Sequence, residues 1–458
     1  MIVMKFGGTS VEDARAIVNV IEIVKRDLDK APVLVISAIA GATNTLIELA
    51  NMAAAGREKD ALAVLKHLQA RHAAIVDDLE LTDTRRKSLY AQMDSYVGEL
   101  RDLVRGIVIL GELTNRSLDT FCSYGERLST QIVAAAMIER EVSAELVDAR
   151  RFMITDDNFS KAGPLLEQIE PLAQEVLFPL AQAGFVPVTQ GYIGATRQGI
   201  TTTLGRGGSD YSAAIIGAAL SAEDIQIWTD VDGVLTADPR LVKTARRVTR
   251  MSFAEASELS YFGSKVLHPS TIVPAIRKNI PVHVYNSRKP YSTGTLITSS
   301  IPKSIGFVKS IAYKRGVTVV NVYSARMLLA YGFMKLIFDV FDRYKTSVDL
   351  VSTSEVSVSI TVDNTDQIQA IANELEAIAK VSVVHNKAIV CIVGEQLKYT
   401  PGIVGRVFRA IDDVNIDMIS QGASDINLSF VVDEADVEHV VNRLHEELFA
   451  HAEEDVFE

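Results

Sequence analysis

Two glycine-rich stretches, more than a hundred residues apart, carry side chains able to hold phosphate. In the first, Lys5-Phe6-Gly7-Gly8-Thr9-Ser10, an apolar run passes through two glycines into a helical pattern that starts near Val11. Glycines let a backbone approach a ligand closely, helix N-terminal amides attract anions, and Lys5 adds a mobile positive charge. An ordinary glycine turn with a solvated lysine would read the same way. The stretch has neither the GxxxxGK[ST] spacing of a P-loop nor the GxGxxG of a dinucleotide fold, so those mechanisms do not transfer. The second stretch is Thr201-Thr202-Thr203-Leu204-Gly205-Arg206-Gly207-Gly208-Ser209-Asp210-Tyr211. Its amides and its guanidinium suit a polyanion or a carboxylate, which Arg grips with two hydrogen bonds. Asp210 also reads as a cap for the helix expected from Tyr211 to Leu220.

A third segment, 228–240, ends a β-rich run and enters a turn containing Asp230, Asp232 and Asp238, the place where parallel sheets hold nucleotides. Its acidic residues lack the terminal Glu and flanking helices of an EF-hand, which argues against calcium. Ser37 to Asn44 (SAIAGATN) follows another strand-like run, and Glu126 lies in a helical pattern where the commonest reading is a solvated face.

The elements that position these groups alternate. Residues 1–6, 31–37, 185–189 and 225–229 are short apolar runs bounded by Gly, Pro, Asp or Ser, as expected of strands buried on both faces. Helical patterns such as 11–27 and 131–140 lie between them, pointing to a mostly parallel sheet covered by helices, with ligands beyond the strands' C-terminal ends. Residues 46–120 form a long helical insertion assigned to scaffold. The turn-rich stretch NSRKPYSTG (286–294) precedes a second region with an internal repeat: 332–363 aligns with 402–433, matching Gly332 to Gly402, Phe338 to Phe408 and Asp363 to Asp433. With strands expected at 317–323 and 387–393, each copy reads as βαββαβ, a ferredoxin-like unit.

At 458 residues the chain is long enough for two or three domains. A hydrophobic fraction of 48% with 23% charged residues is globular and argues against disorder. The net charge of −12 argues against a broad nucleic-acid surface, so an anionic ligand needs local positive groups. Two cysteines without CxxC spacing, Cys122 and Cys391, give no zinc site and suit a reducing compartment. The N-terminal run is unlike a signal peptide and no apolar stretch reaches membrane-span length, so a soluble cytoplasmic protein is expected.

Taken together, KFGGTSV (5–11), SAIAGATN (37–44), GER (125–127), TTTLGRGGSDY (201–211), WTDVDGV (228–234), FGSKVLHP (262–269) and SVDLVSTSEVS (347–357) resemble the aspartate kinases of the amino-acid kinase superfamily, most nearly the monofunctional, lysine-inhibited type. The resemblance spans essentially the whole chain. It implies an α/β amino-acid kinase fold, a mostly parallel sheet sandwiched by helices, followed by two ferredoxin-like βαββαβ ACT domains. The implied boundaries are 1–297 for the catalytic domain, 315–383 for the first ACT domain, and 305–314 with 384–450 for the second. The implied activity is ATP-dependent phosphorylation of the L-aspartate β-carboxylate to 4-phospho-L-aspartate. That reaction opens lysine, threonine and methionine biosynthesis and is feedback-inhibited by an end product. A kinase with a glutamate-type acceptor and an inactive ACT amino-acid sensor are the competing readings.

Carried onto this chain, the resemblance makes Lys5, Arg206 and Asp210 catalytic and gives Ser37, Thr43, Glu126 and Arg206 to aspartate, Arg206 on the α-carboxylate and Glu126 on the ammonium. ATP falls to Lys5, Phe6, Gly7, Gly8, Gly207, Gly208, Ser209, Thr229, Asp230, Leu235, Arg240, Lys265 and Val266, with Mg2+ carried by the nucleotide and no separate metal site. A lysine effector, with threonine the alternative, is assigned to Met327, Ala330, Gly332, Phe333, Met334, Val348, Asp349, Ser354 and Glu355. A homodimer through the ACT domains, or a homotetramer, is implied, with neither nucleic acid nor membrane as partner.

Overall fold

A computed structural model describes residues 1–263, 272–299, 308–327, 331–450 and 457. The chain divides into two compact units, Met1–Val234 with Val266–Ser300, and Leu235–Lys265 with Ile301–Glu458. This division assigns Leu235–Lys265 to the second unit, whereas the sequence reading keeps everything up to residue 297 together.

The first unit is built on the strands Ala144–Val147, Val186–Gln190, Pro32–Ile36, Ile2–Phe6, Asp224–Thr229, Val282–Asn286 and Thr295–Thr298, in that spatial order. All neighbouring pairs are parallel except the last, which is antiparallel. Ile2–Phe6, Pro32–Ile36 and Val186–Gln190 are buried at every position, which is why they read as continuous apolar runs rather than alternating ones. Phe6 is sealed into this core by stacking on Trp228 at 5.9 Å between ring centroids. The scaffold insertion consists of the helices Ala42–Ala54, Glu58–Asp78 and Asp83–Leu110, whose buried Leu, Val and Ile faces join the same core. Helix Asn115–Glu139 follows and is buried over much of its length.

The helix expected from Tyr211 begins three residues sooner, at Gly208, because Gly207 takes a left-handed conformation (φ 72°) that ends the loop one turn early. Ser209 and Asp210 therefore sit inside the first helical turn. A small sheet of Ile154–Thr155, Ile193–Thr196 and Thr201–Thr203 leads into that loop.

In the second unit the repeat is realised as one six-stranded sheet. Its two central strands, Val308–Tyr323 and Lys380–Gly394, are each long enough to serve both copies. The first half of Val308–Tyr323 pairs with residues near 389–394, and its second half pairs with Ser357–Val362. The expected borders at 314/315 and 383/384 thus fall inside continuous strands, the first beside Gly316 (φ 72°), where the register shifts. Gly332 (φ 80°) and Gly402 (φ 83°) each cap the helix that follows, Phe333–Arg343 and Ile403–Ala410, so the matched glycines do the same conformational work. Among the described residues no helix is long and apolar enough to cross a membrane.

Candidate active site

The C-terminal ends of the strands Ile2–Phe6 and Pro32–Ile36 open into neighbouring loops that are zipped together. The Ser37 amide donates to the Phe6 carbonyl (3.1 Å) and the Ala40 amide to the Gly8 carbonyl (3.1 Å). Gly8 is required by this approach, since a Cβ there would lie 2.6 Å from the Ala38 carbonyl oxygen. The 205–210 loop closes the far side. There Gly208 packs so closely on Tyr192 that a Cβ would meet its ring at 2.7 Å. Tyr192 itself is held at φ 67°, an uncommon conformation for a bulky residue. Together these loops and one face of helix Asn115–Glu139 enclose a cleft of about 610 Å³ within the first unit, lined among others by Lys5, Ser37, Thr43, Glu126, Arg206 and Asp210.

Lys5 Nζ lies 2.6 Å from Asp210 Oδ1, with both side chains largely buried. Arg206 is exposed and makes no hydrogen bond or ion pair among the described residues, which leaves its guanidinium available. Glu126 is 3% exposed, so the solvated-face reading of this residue is overturned: the 37–40 loop lies over its turn of the helix. Burial pushes the Glu126 carboxyl up to about 8, opposed by a hydrogen bond from the Ala38 amide, and Oε2 has no partner. Such an oxygen is costly to leave unpaired and suits an incoming cation. Cys122 also lines the cleft, but burial raises its thiol to about 12, so it stays a neutral thiol.

Gly8, Gly207, Gly208 and Ser209 line the cleft as well. The Phe6 ring belongs to the core rather than to the cleft, and the Gly7 amide is spent on the Trp228 carbonyl at 3.0 Å. Thr229 ends its strand next to exposed Asp230, toward which its hydroxyl donates at 3.3 Å. In the second unit, the Leu235 carbonyl accepts from Ser310. Arg240 is bound to Asp238 through both Nε and Nη2, and this hydrogen-bonded guanidinium holds the Asp238 carboxyl down at about 2. The sequence reading left Arg240 open for a nucleotide, whereas its fork already grips a carboxylate two residues away. Lys265, Val266 and Ala330 lie outside the described residues.

The effector positions also sit in the second unit. Met327, Phe333, Met334 and Val348 are partly buried against the core of the first repeat. Ser354 closes the turn before Ser357–Val362 by accepting from the Ser357 amide (3.1 Å), and Glu355 is exposed. Asp349 is already engaged: Lys314 Nζ lies 2.9 Å away and the Tyr261 hydroxyl donates at 2.7 Å, both to Oδ1, while Oδ2 is buried without a partner.

The residue that sequence reasoning missed is Asp119. It stands seven positions before Glu126 on the same helix, a two-turn spacing that places both on one face. It lines the cleft, is 1% exposed, and burial raises its carboxyl above the ordinary range.

Residues 1–286 match the amino acid kinase family and residues 390–448 match an ACT domain. The chain is 38% identical to the lysine-sensitive aspartokinase 3 of Escherichia coli over 98% of its own length and 99% of that protein's. Among solved structures it superposes on E. coli aspartokinase III in complex with aspartate and ADP, in the R-state, with a TM-score of 0.86 at 37% identity, covering 98% of this chain and 100% of the other. The same enzyme in complex with lysine and aspartate, in the T-state, gives 0.79 at 37% identity, covering 98% and 99%. Full-length similarity at this level, on a chain whose two glycine loops share one cleft, places it in a family: it is a member of the aspartokinases, within the amino acid kinase family.

Proposed function

We propose that the cleft transfers the γ-phosphoryl group of ATP to the β-carboxylate of L-aspartate, giving ADP and 4-phospho-L-aspartate. The observation that carries this reading is that Lys5 and Arg206, on loops far apart in sequence, line one cleft. Arg206 grips the α-carboxylate and Glu126 receives the ammonium beside Thr43 and Ser37, which leaves the β-carboxylate directed toward Lys5. That carboxylate is ionised at neutral pH, its ordinary pKa being about 3.9, so no strong base is needed. What remains is to align two anions and neutralise the charge on the transferred group. Lys5 does this, with the amides of Gly8, Gly207 and Ser209, the Gly208 amide being spent on the Gly205 carbonyl at 3.0 Å. Asp210 orients Lys5 until a phosphate competes for it.

The nucleotide's remaining contacts belong to Thr229 and Asp230, at the end of a parallel strand. Among the described residues no group of three or more His, Cys, Asp and Glu side chains could hold a metal ion. A magnesium ion would enter on the nucleotide phosphates, since Mg2+ keeps several waters and seldom uses an all-protein cage. When bound it supplies charge neutralisation at the phosphates.

We further infer a lysine effector at Asp349 and Glu355, with the carboxylate at the Gly332 turn. The E. coli relative solved with lysine and aspartate supports this reading, as does the unpartnered Oδ2 of Asp349. Exposed Leu336, Phe338 and Tyr331 support a homodimer through the ACT unit. A cytoplasmic location accords with both cysteines being free thiols.

A coupled assay with a panel of acceptors, read also as hydroxamate formation, tests the activity. Turnover with aspartate and not glutamate is expected. Turnover with glutamate alone would sink the assignment, and lysine binding without any ATP turnover would point to a sensor.

A further inference from the structure

The cleft wall formed by helix Asn115–Glu139 presents two buried carboxylates, Asp119 and Glu126, and their surroundings differ sharply. Glu126 keeps an oxygen without a partner. Asp119 is fully engaged. Its Oδ1 accepts from the Thr203 hydroxyl at 2.8 Å, and its Oδ2 accepts from the Thr203 amide at 2.9 Å and the Ser160 amide at 2.9 Å. An ammonium entering the cleft therefore finds an acceptor at Glu126, while the acceptors of Asp119 are already spent.

The two segments that Asp119 holds converge on Arg206. Thr203 is the last residue of its strand, three positions before the arginine. Ser160 is held at φ 70°, a conformation that a residue with a side chain adopts at a cost and that surrounding contacts must maintain. The two segments are also joined directly, the Ala162 amide donating to the Thr203 carbonyl at 2.9 Å. The Ser160 carbonyl lies against Gly205, where a Cβ would approach to 3.1 Å. Since the Arg206 guanidinium makes no hydrogen bond or ion pair among the described residues, its reach into the cleft is set by this backbone.

We propose that Asp119 is a positioning residue for substrate recognition: by clamping Ser160 and Thr203 it sets the backbone from which Arg206 grips the α-carboxylate of aspartate. The inference rests on the assignment of Arg206 made above and deepens it. It also gives the two carboxylates of one helix separate tasks, one structural and one facing the ligand.

Steady-state kinetics on the full-length chain tests the clamp. Asp119→Asn keeps the shape but replaces an acceptor by an NH2 group facing N–H and O–H donors. It should raise KM for aspartate about tenfold or more, while KM for ATP stays within about twofold. Thr203→Val removes one of the three donors and should give an intermediate rise, and Thr203→Ser, which keeps the hydroxyl, should restore wild-type values. A purely structural role would move both KM values together. The proposal is overturned if Asp119→Asn leaves KM for aspartate within about twofold of wild type, or if both KM values rise in step. Should Asp119→Asn fail to fold, the contrast between Thr203→Val and Thr203→Ser decides alone, and equal KM values in those two would sink the clamp. Arg206→Lys separates this inference from its premise. An unchanged KM for aspartate in that variant removes the assignment of Arg206 itself, whereas a raised value beside an unaffected Asp119→Asn removes only the clamp.

Discussion

Lys5 and Asp210, both lining the cleft, form an ion pair at 2.6 Å that joins the first glycine loop to the first turn of helix Gly208–Ala219. Their side chains are only 10% and 17% exposed, so each charge depends on the other until a phosphate arrives. Removing one partner of such a pair strands the other.

Lys5→Met should therefore act twice. Loss of the cation that stabilises the transferring group should lower kcat about 10²- to 10³-fold, with smaller changes in either KM. The stranded Asp210 should lower the melting temperature as well. Asp210→Asn should keep more activity than Lys5→Met, because the lysine survives. Equal activity of wild type and Lys5→Met in the coupled assay would remove Lys5 from the chemistry.

Glu126 gives a pH signature with a definite sign. Burial raises its carboxyl from 4.5 to about 8, so the folded chain keeps a proton that the unfolded chain has lost. Its contribution to stability is thus fully present below about pH 4.5 and is lost as pH rises through about 8. Replacing it by Gln removes that loss, so the melting temperature of Glu126→Gln relative to wild type should climb from pH 5 to pH 9. Ammonium binding needs the ionised form, so wild-type KM for aspartate should fall between pH 6.5 and 8.5. In Glu126→Gln it should be raised and nearly flat. A flat wild-type profile would dissociate Glu126 from the substrate ammonium.

Two glycines should respond oppositely to alanine. A Cβ at Gly8 would lie 2.6 Å from the Ala38 oxygen and 3.0 Å from the Ala40 nitrogen, both backbone atoms that cannot swing aside. Gly8→Ala should push the loops apart, lowering the melting temperature and reducing kcat/KM at least about tenfold. Gly405, inside helix Ile403–Ala410, would bring its Cβ no nearer than 3.5 Å to the mobile Arg409 side chain. Gly405→Ala should stabilise the chain by about 0.5–1 kcal/mol in denaturant titration, the usual gain for such a change in a helix.

The two repeats share an ion triad. Lys314 reaches Asp349 at 2.9 Å and Asp363 at 2.8 Å, and Lys387 reaches Asp417 at 2.5 Å and Asp433 at 2.7 Å. Asp349 is 2% exposed and Asp417 26%, so breaking the first triad abandons a charge that water cannot reach. Lys314→Met should cost about 3–5 kcal/mol and Lys387→Met distinctly less. Equal losses in chemical denaturation would show that both aspartates are hydrated on equal terms.

Glu355 is exposed and is not among the residues that line the cleft, so Glu355→Ala should leave turnover unchanged while weakening inhibition by lysine. Dose–response curves with lysine, threonine and methionine, alone and in pairs, would check the effector. Undiminished lysine inhibition in the variant would exclude Glu355 from the site.

Local chemistry made much of this protein readable from its sequence. Glycines at 8, 207, 208, 332 and 402 announced turns because few other residues tolerate those backbones or approaches. Four strands emerged from apolar runs, and the matched glycines and aspartates of the repeat revealed two related units. Tertiary structure alone decided which polar groups lose their water. Glu126 reads as a surface residue until the 37–40 loop is laid over it, and Asp119 is inconspicuous until Ser160 and Thr203 arrive from elsewhere in the chain. The ends of the repeat likewise merged into shared strands, because a small sheet exposes unpaired edges unless a neighbour extends it. Burial and hydrogen-bond partnership depend on segments distant along the chain, and no reading of neighbouring residues contains them.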